Sequence, residues 1–283
     1  PDIYLNGVKV KHLPSQKHLG MILDEHLNFN EHISIKLSNA RRGVGILRKL
    51  HNLLPRSSLL TIYKSFIRPH LDYGDFIYDK PNNESFCKNI ESIQYNAALA
   101  ITGTIKGTSR VGLYQELGIE SLSSRRKLRR LSTFYKLFNS MSPSYLYSLI
   151  PKVNDYLPTR SNANIPYYFC RTSSYRNSFY PNAIVERNKL DMNIPQNESY
   201  EIFKTSIIKD LRPIPNSIFG IDNPVGLKFL TRLRLSFSHL REHKFKHNFQ
   251  DTLNPLCSCS LAIESTEHFF LHCQNYQIQR QSL

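Results

Sequence analysis

The chain has 283 residues, 40% of them hydrophobic and 11% aromatic, and carries a formal net charge of +15 at pH 7. This length and apolar content allow one large or two modest cores and exclude a disordered tail. Because 37 Lys and Arg stand against 22 Asp and Glu, the composition favours a polyanionic partner, nucleic acid before an anionic membrane surface. The alternative is a soluble domain that is basic without such a partner.

The five cysteines are an odd number, and neither a signal peptide nor a membrane-length apolar run accompanies them. A disulfide framework is therefore disfavoured, and a reduced intracellular setting with metal-bound cysteines is favoured. Cys87 and Cys170 lie far from the other three and are interpreted as ordinary half-buried residues. The chain opens on Pro1 within a strand-like sequence, so we expect it to be a piece of a longer protein.

Residues 1–29 have the pattern of β-strands. Asn6 and Gly7 separate two short apolar runs, which is typical of a tight hairpin because both residues tolerate positive φ. KHLGMILD, residues 17–24, predicts a third strand. Three strands make a poor core, so this piece is expected to complete a sheet begun upstream.

Residues 30–150 have a helical pattern. Asn30 can cap a helix with apolar residues every three or four positions, namely Ile33, Leu37, Ala40, Val44 and Leu47. A second helix carries Leu59 to Ile67 and must kink or stop at Pro69. A third carries Phe86 to Ala100, a short fourth is closed by Gly118, and a fifth begins near Ser121 or Ser123 and runs to about Asn139.

Residues 150–200 change character. Their prolines are Pro151, Pro158, Pro166, Pro181 and Pro195. This frequency predicts a connector with short extended pieces and no packed domain. A helix is predicted over 198–212, and a basic helix within 226–250.

Near the end of the chain, Cys257, Cys259, His268 and Cys273 form the pattern C-x-C-x8-H-x4-C. Three thiolates and one imidazole are a donor set for a closed, structural zinc site. The first two cysteines are closer together than the usual spacing, and His272 is an alternative to His268. The alternative to a metal site is three free cysteines and two surface histidines.

Three basic segments are candidates for a nucleic-acid surface, because clustered Lys and Arg neutralise phosphates, although each alone is usually a solvated helix face. They are Lys36, Arg41, Arg42, Arg48 and Lys49; Arg125, Arg126, Lys127, Arg129 and Arg130; and Lys228, Arg232, Arg234, Arg241, Lys244 and Lys246. His239, His243 and His247 share one face of the predicted basic helix and are interpreted as phosphate-facing, with metal binding as the alternative.

No catalytic motif is found: the sequence has no P-loop, no G-x-S-x-G, no H-E-x-x-H and no paired carboxylates on a strand. Asp72 and Asp75 follow Pro69 in LDYGDF and are interpreted as polar residues of a helix end, not as metal ligands. The chain is therefore predicted to be a binding platform without catalytic residues of its own.

The ordered motifs resemble the C-terminal portion of non-LTR (LINE-type, jockey-like) retrotransposon reverse transcriptases. KHLGMILDEHLNFNEHI, 17–33, resembles the segment that leaves the palm with its primer-grip strand and enters the thumb. LTIYKSFIRPHLDYG, 60–74, and IQYNAALAITG, 93–103, resemble thumb helices, and SFYPNAIVERNKL, 178–190, resembles the connector. LTRLRLSFSHLREHKF and the Cys/His pattern resemble the terminal zinc knuckle, so the resemblance covers essentially the whole chain.

The resemblance implies a mainly α fold with a small N-terminal β piece. Its parts are the end of the palm in 1–29, a helical thumb-like bundle in 30–150, an irregular connector in 151–220, and a basic helix with a small CCHC zinc knuckle in 221–283. Leu19 and Gly20 fall in the primer-grip strand, and Cys257, Cys259, His268 and Cys273 are the ligands of a structural zinc. The catalytic aspartates with their Mg²⁺ belong to the upstream palm, which an endonuclease domain often precedes, so this chain alone is predicted to be inactive.

The family function is RNA-directed DNA synthesis, copying element RNA at a nicked chromosomal target, which implies action in the cytoplasm and nucleus. This portion would bind the RNA template and DNA primer. A free-standing, non-catalytic nucleic-acid-binding zinc protein derived from such an element, or a helical interaction module, are the alternatives. The chain departs from the family at Phe29 and Arg187, where Trp is usual, and at Ser260, where Gly is frequent; a decayed element copy or lineage variation would each explain this.

Overall fold

The protein was analysed as a computed structural model that describes residues 4–139, 141, 143–151, 165–190, 199–209 and 223–281. It is mainly helical, as the sequence predicted. The strands are β1 (Tyr4–Leu5), β2 (Val8–Lys9), β3 (Ser15–His18) and β4 (Met21–Asp24). The helices are α1 (Asn30–Leu50), α2 (Arg56–Ile62), α3 (Arg68–Asp72), α4 (Asp75–Tyr78), α5 (Glu84–Thr102), α6 (Arg110–Leu117), α7 (Leu122–Phe138), α8 (Ser144–Tyr147), α9 (Ser173–Arg176), α10 (Phe179–Asn188), α11 (Tyr200–Lys209), α12 (Pro224–Arg234), α13 (Arg241–Lys246) and α14 (Gln277–Gln281). Tyr63–Ile67 and His268–His272 are π-helical turns, and Gln274–Tyr276 is a 3-10 turn.

The predicted hairpin at Asn6-Gly7 is confirmed. β1 and β2 pair antiparallel around these two residues, whose φ angles are 49° and 79°. Both angles lie in the left-handed region that a two-residue hairpin turn of this type requires.

KHLGMILD does not form the single strand that was predicted. It turns back on itself at Leu19 and Gly20, so that β3 and β4 pair antiparallel. The two turn residues have φ of 45° and 79°, and the Tyr73 hydroxyl donates a hydrogen bond to the Leu19 carbonyl. Glycine adopts this backbone without a steric cost, so the decisive signal was Gly20 and not the apolar residues around it.

The predicted apolar faces of the two long helices are confirmed. In α1 the five predicted positions, Ile33 to Leu47, are between 0% and 9% exposed. In α5, Ile90, Ile93 and Ala97 are at most 2% exposed. A three-and-four spacing of apolar residues therefore identified the buried side of both helices.

Pro69 does not end the second predicted helix. The helical segment runs from residue 56 to 72 as α2, a π-helical turn and α3, and Pro69 is the second residue of α3. A π-helical turn changes which carbonyl each N–H reaches, and this rearrangement just before Pro69 accommodates a ring that would otherwise clash with the carbonyl four residues earlier.

The ends of α6 and α7 follow the predicted capping residues. Gly118 ends α6 with a left-handed φ of 58°. Ser121 caps α7, its hydroxyl accepting a hydrogen bond from the Ser124 amide at 3.1 Å. Such caps satisfy backbone groups that the helix itself leaves unpaired.

The chain divides into two compact units. The first comprises Pro1–Gly43, Lys64–Gln94 and Glu120–Arg212; the second comprises Val44–Tyr63, Tyr95–Ile119 and Pro213–Leu283. The predicted boundaries after residues 29, 150 and 220 do not coincide with this division, and as functional parts of the chain they stay a prediction.

Helix α7 lies at the centre of the first unit. Phe134 and Leu137 form one apolar cluster with Ile165, Ala183 and Ile184. On another part of α7, Leu128, Leu131 and Tyr135 pack against Phe203 and Ile207 of α11, and the rings of Tyr135 and Phe203 stack with centroids 4.2 Å apart.

The prediction that residues 150–200 hold only short extended pieces is wrong where the structure describes them, because residues 165–190 contain α9 and α10, and α10 packs on α7. The helix predicted over 198–212 is confirmed as α11, which also packs on α7. Pro181 does not break α10, because it lies in the first helical turn, where an N–H has no partner within the helix. Residues 152–164, 191–198 and 210–220, with Pro158 and Pro195, lie outside the described residues.

Two departures from the family pattern fit their surroundings. Phe29 is only 8% exposed and so keeps an apolar side chain in a core. The Arg187 guanidinium lies 6.0 Å from the centroid of the Phe138 ring, and burial lowers the pKa of Arg187. A flat guanidinium over an aromatic ring retains part of the packing that a Trp would provide.

Among the described residues, no helix has both the length and the apolar character that crossing a membrane would require.

Candidate metal centre and basic surfaces

The four predicted ligands come together in the second unit. The donor atoms of Cys257, Cys259, His268 and Cys273 all lie within 4.8 Å of one another. The sulfurs of Cys257 and Cys273 are 3.5 Å apart, and the Cys259 sulfur is 3.2 Å from Nε2 of His268. Zinc bonds of about 2.3 Å to sulfur and about 2.0 Å to nitrogen in a tetrahedron give donor separations of roughly 3.5 to 3.8 Å, so this group could hold a metal ion.

A tight turn brings the first two cysteines to the site. Leu256 and Ile263 form an isolated β-bridge, and the Cys257 amide donates to the Ala262 carbonyl at 2.9 Å. Between them the chain turns at Ser260, whose φ of 61° lies in the left-handed region. Gly is frequent at this position in the family that the sequence resembles, and glycine adopts a left-handed backbone without steric cost.

The π-helical turn His268–His272 begins with the third ligand, His268, and the fourth ligand, Cys273, directly follows it. The Ser265 hydroxyl accepts a hydrogen bond from the His268 amide at 3.1 Å, and the Cys273 amide donates to the His268 carbonyl at 2.7 Å. His268 is 7% exposed and belongs to the cluster. His272, the alternative ligand, lies 3.8 Å from the Glu267 carboxylate with an exposed side chain.

The thiols of the cluster have unequal acidity. The Leu261 amide donates to Cys259, and this hydrogen bond, aided by His268, lowers the pKa of Cys259 to about 7. Burial raises the pKa of Cys273. Because a metal binds the thiolate and not the thiol, filling such a site would release protons.

Glu264 ties this centre to α13 and was not singled out in the sequence. Its carboxylate accepts a hydrogen bond from the Arg241 amide at 2.7 Å, at the first residue of α13. The Arg241 guanidinium donates to the Leu256 carbonyl at 3.1 Å, next to the first ligand. A carboxylate at a helix start is favourable because acidic groups stabilise helix N-termini, but the 23-residue separation of Glu264 from Arg241 left no signal of this contact in the sequence.

The basic segment 226–250 is not one helix, contrary to the prediction. Helix α12 ends at Arg234, Ser236 has a left-handed φ of 51°, and α13 begins at Arg241. The three histidines therefore share no helix face. His239 precedes α13, while His243 is buried with its Nδ1 2.8 Å from the Ser238 hydroxyl, and burial lowers its pKa.

The basic residues of α1 are accessible. Arg41, Arg42, Arg48 and Lys49 are exposed, and Lys36 is half-buried over the Tyr73 ring. Arg41 donates to the Asn89 side chain at 2.7 Å and Arg48 to the Asn96 side chain at 3.4 Å. No carboxylate within the described residues forms an ion pair with any of the five.

The arginines of α7 are in a different environment from the solvated face that their sequence suggested. Arg126 and Arg130 are 6% and 3% exposed. Arg126 donates to Asp79 at 2.8 Å and to the Leu71 carbonyl at 2.7 Å. Arg130 donates to Glu186 at 2.5 Å and also contacts Asp79. Both are therefore unavailable to a phosphate.

The other two α7 arginines pair with the acids of LDYGDF. Arg125 bonds Asp72 at 2.9 Å and Glu120 at 2.7 Å, and Arg129 bonds Asp75 at 3.0 Å. Burial raises the pKa of Asp75 to about 6, although Arg129 and Arg126 act in the opposite direction. Asp72 and Asp75 lie at the end of α3 and the start of α4, as predicted, but they serve as internal ion-pair partners.

The third basic segment is mixed. Arg234 bonds Glu116 at 3.0 Å, and Lys244 bonds Asp251 at 2.7 Å. Arg232 donates twice to the Gly103 carbonyl, while Lys246 is exposed. Only part of this segment can therefore present charge to a ligand.

Comparison with known proteins identifies two relatives in Drosophila melanogaster. The chain is 30% identical over 125 residues, 43% of its length, to a protein described as a probable RNA-directed DNA polymerase from transposon X-element. It is 35% identical over 83 residues, 28% of its length, to the RNA-directed DNA polymerase from mobile element jockey. The matched segments are 14% and 9% of the length of those relatives.

No family model matches the chain, and no solved structure does. The predicted resemblance is confirmed by the two relatives over part of the chain: this protein is similar there to the RNA-directed DNA polymerases of the mobile elements X-element and jockey.

Proposed function

We propose that this chain is the nucleic-acid-binding C-terminal part of a retrotransposon RNA-directed DNA polymerase, holding the RNA template and DNA primer for a palm domain that carries the catalytic aspartates and Mg²⁺. The observation that carries this proposal is the similarity to two such polymerases in a chain with a net charge of +15. In a full-length parent, the palm and an endonuclease domain would lie upstream, and the protein would act in the cytoplasm and nucleus.

The surface that we assign to this binding is the row of basic residues on α1. Five cations without a carboxylate partner among the described residues retain their full charge for phosphates. Lys127, Arg241 and Lys246 are further contributors. Such contacts supply affinity and position more than sequence preference. Leu19 and Gly20, assigned by resemblance to the primer-grip strand, lie at the exposed turn between β3 and β4, and we propose that this turn contacts the primer.

Binding of a fluorescent RNA–DNA primer–template, measured by anisotropy from 50 to 300 mM salt, tests this function. We expect the logarithm of the affinity to fall linearly with the logarithm of the salt concentration, with a slope near −0.9 for each phosphate neutralised. A salt-independent affinity, or no binding at 50 mM salt, would support the helical interaction module. An in-frame transcript reading upstream into an x-A-D-D motif would distinguish the polymerase part from a free-standing binder.

We further propose that the Cys/His cluster holds one structural zinc. Cys257, Cys259, His268 and Cys273 fit zinc because three thiolates and one imidazole fill its four positions and leave none for a substrate. When bound, the metal would supply folding free energy to the second unit and no chemistry.

Metal analysis of the purified chain, before and after chelation, tests the zinc. We expect about one zinc per chain, lost together with part of the thermal stability in Cys259→Ser. Cys170→Ser is the matched control, because Cys170 lies outside the cluster and should keep the metal. A chain without zinc, whose unfolding is indifferent to chelator, would contradict the proposal.

A further inference from the structure

The second unit contains a concave pocket of about 340 Å³ whose charged lining is entirely basic. The end of α1, the end of α5 with the following turn, and α12 form its walls. Its cationic and titratable side chains are those of Arg48, His51, Lys106, Lys228 and Arg232, and Asn96 lies among them. No Asp or Glu lines it in the part of the chain that the structure describes.

Several other cations of this unit have carboxylate partners. Arg56 and Arg234 approach Glu116, and Lys244 pairs with Asp251. By contrast, Arg48, Lys106 and Lys228 have no carboxylate partner among the described residues. Gathering like charges in one concavity is unfavourable unless an anion neutralises them.

The wall of the pocket is fixed in place at Gly103. The Arg232 guanidinium donates to the Gly103 carbonyl through Nε at 3.1 Å and through a second nitrogen at 2.7 Å. Gly103 has a φ of 66°, and a side chain there would come within 3.0 Å of the Lys228 stem. Glycine therefore provides both the left-handed backbone and the space for Lys228, so the pocket is built before a ligand arrives.

We propose that this pocket binds a phosphate group of the nucleic-acid backbone. Two lysines supply compact positive charge, while Arg48, His51 and Asn96 supply hydrogen-bond donors or acceptors around the same space; this combination suits a tetrahedral oxyanion. That the phosphate belongs to a nucleic acid rests on the proposed function, because the same side chains would also recognise free inorganic phosphate.

The competing explanation is that these cations only stabilise the C-terminal ends of α1 and α5, where positive charge is favourable. In that case, removing them would lower stability and leave ligand binding unchanged. The contacts favour a ligand for Lys106 and Lys228, because the Gly103 carbonyl, just after the end of α5, accepts its hydrogen bonds from Arg232 and not from a lysine.

The test uses the full chain with Lys106 and Lys228 both changed to Ala, and Lys88→Ala as the control. Lys88 pairs with Glu84 on an exposed surface outside the pocket. We expect the double variant to bind the primer–template roughly tenfold more weakly and to lose about 2 from the salt slope, while Lys88→Ala changes neither. The unfolding midpoint of the double variant in urea should equal that of the wild type.

Inorganic phosphate is the second probe, with chloride at equal ionic strength as its control. The His51 imidazole resonances of the wild type should shift with phosphate, and those of the double variant should not. Unchanged primer–template affinity and no phosphate-dependent shift would overturn the pocket while the proposed function stands. If the wild type binds no nucleic acid but His51 responds to phosphate, the proposed function fails and the pocket is a free-phosphate site.

Discussion

Helices α1 and α7 are both rich in basic residues, but the two sets of side chains have opposite environments. On α1, Arg41, Arg42, Arg48 and Lys49 are exposed to solvent. On α7, Arg126 and Arg130 are buried against Asp79 and Glu186. A run of arginines therefore indicates a nucleic-acid surface only where no matching carboxylates face it.

The matching carboxylates had a readable spacing. Asp72, Asp75 and Asp79 recur at intervals of three and four, which is the interval that separates neighbours on one side of a helical segment. Arg125, Arg126, Arg129 and Arg130 form the same kind of pattern on α7. Two complementary charge patterns in one chain favour an internal network over two independent surfaces.

The largest expected effect on stability comes from removing a buried arginine of α7. Arg130→Ala leaves Glu186 and one oxygen of Asp79 without their cationic partner, and removing one member of a buried ion pair costs about 3 to 5 kcal/mol. Arg42→Ala on α1 should change the free energy of unfolding by less than about 0.5 kcal/mol. Urea unfolding at pH 7 compares the two, and equal losses would remove the distinction between the helices.

The pH dependence of the network gives the next effect. The pKa of Asp75 is raised by burial to about 6, so between its unfolded value of 3.8 and 6 the folded state binds the proton that the unfolded state has lost. Stability should therefore fall as pH rises through this interval, by up to about 3 kcal/mol at 1.4 kcal/mol per pKa unit.

Asp75→Asn isolates this contribution. The free energies of unfolding of the wild type and of Asp75→Asn should be compared at pH 4.5 and at pH 7, so that the titration of other groups cancels. We expect the variant to lack the decrease that Asp75 causes. Parallel pH profiles for the two proteins would mean that Asp75 keeps an ordinary acidity.

The smallest expected effects come from removing single exposed basic residues of α1. Arg42→Ala and Lys49→Ala should each weaken primer–template binding a few-fold and lower the salt slope by about 1, because each removes one phosphate contact. Stability should stay the same. Lys204→Ala is a matched control, since Lys204 lies on α11 near Glu201; an equal loss of affinity there would mean that total charge, not α1, governs binding.

Periodicity and capping could be read from the sequence because they are local. The apolar positions of α1, the Asn6-Gly7 turn, and the ends at Gly118 and Ser121 each depend on a few neighbouring residues. The Cys/His cluster could also be predicted, because C-x-C-x8-H-x4-C gathers four possible donor residues in one short segment. For these features, the residue types within a short segment are enough to predict the local structure.

What failed depends on distant partners or on unusual backbone. The burial of Arg126 is decided by Asp79, 47 residues earlier. The turn at Leu19, the π-helical turn before Pro69 and the break at Ser236 each interrupt a pattern that continues on both sides. Helix α10 was missed because prolines surround it, although α7 offered an apolar face for it, whereas α11 was predicted from its own apolar spacing.

The left-handed backbone at Ser260 makes the Cys/His turn unequally tolerant of sequence change. Ser258, an exposed residue two positions earlier, holds only a hydrogen bond with the Asn275 side chain, so many residue types can replace it. Position 260 accepts Gly readily, Asn or Ser at a modest cost, and a β-branched residue scarcely at all. We therefore expect substitutions to be tolerated more readily at position 258 than at position 260, where most side chains would disturb the turn that brings the first two cysteines together.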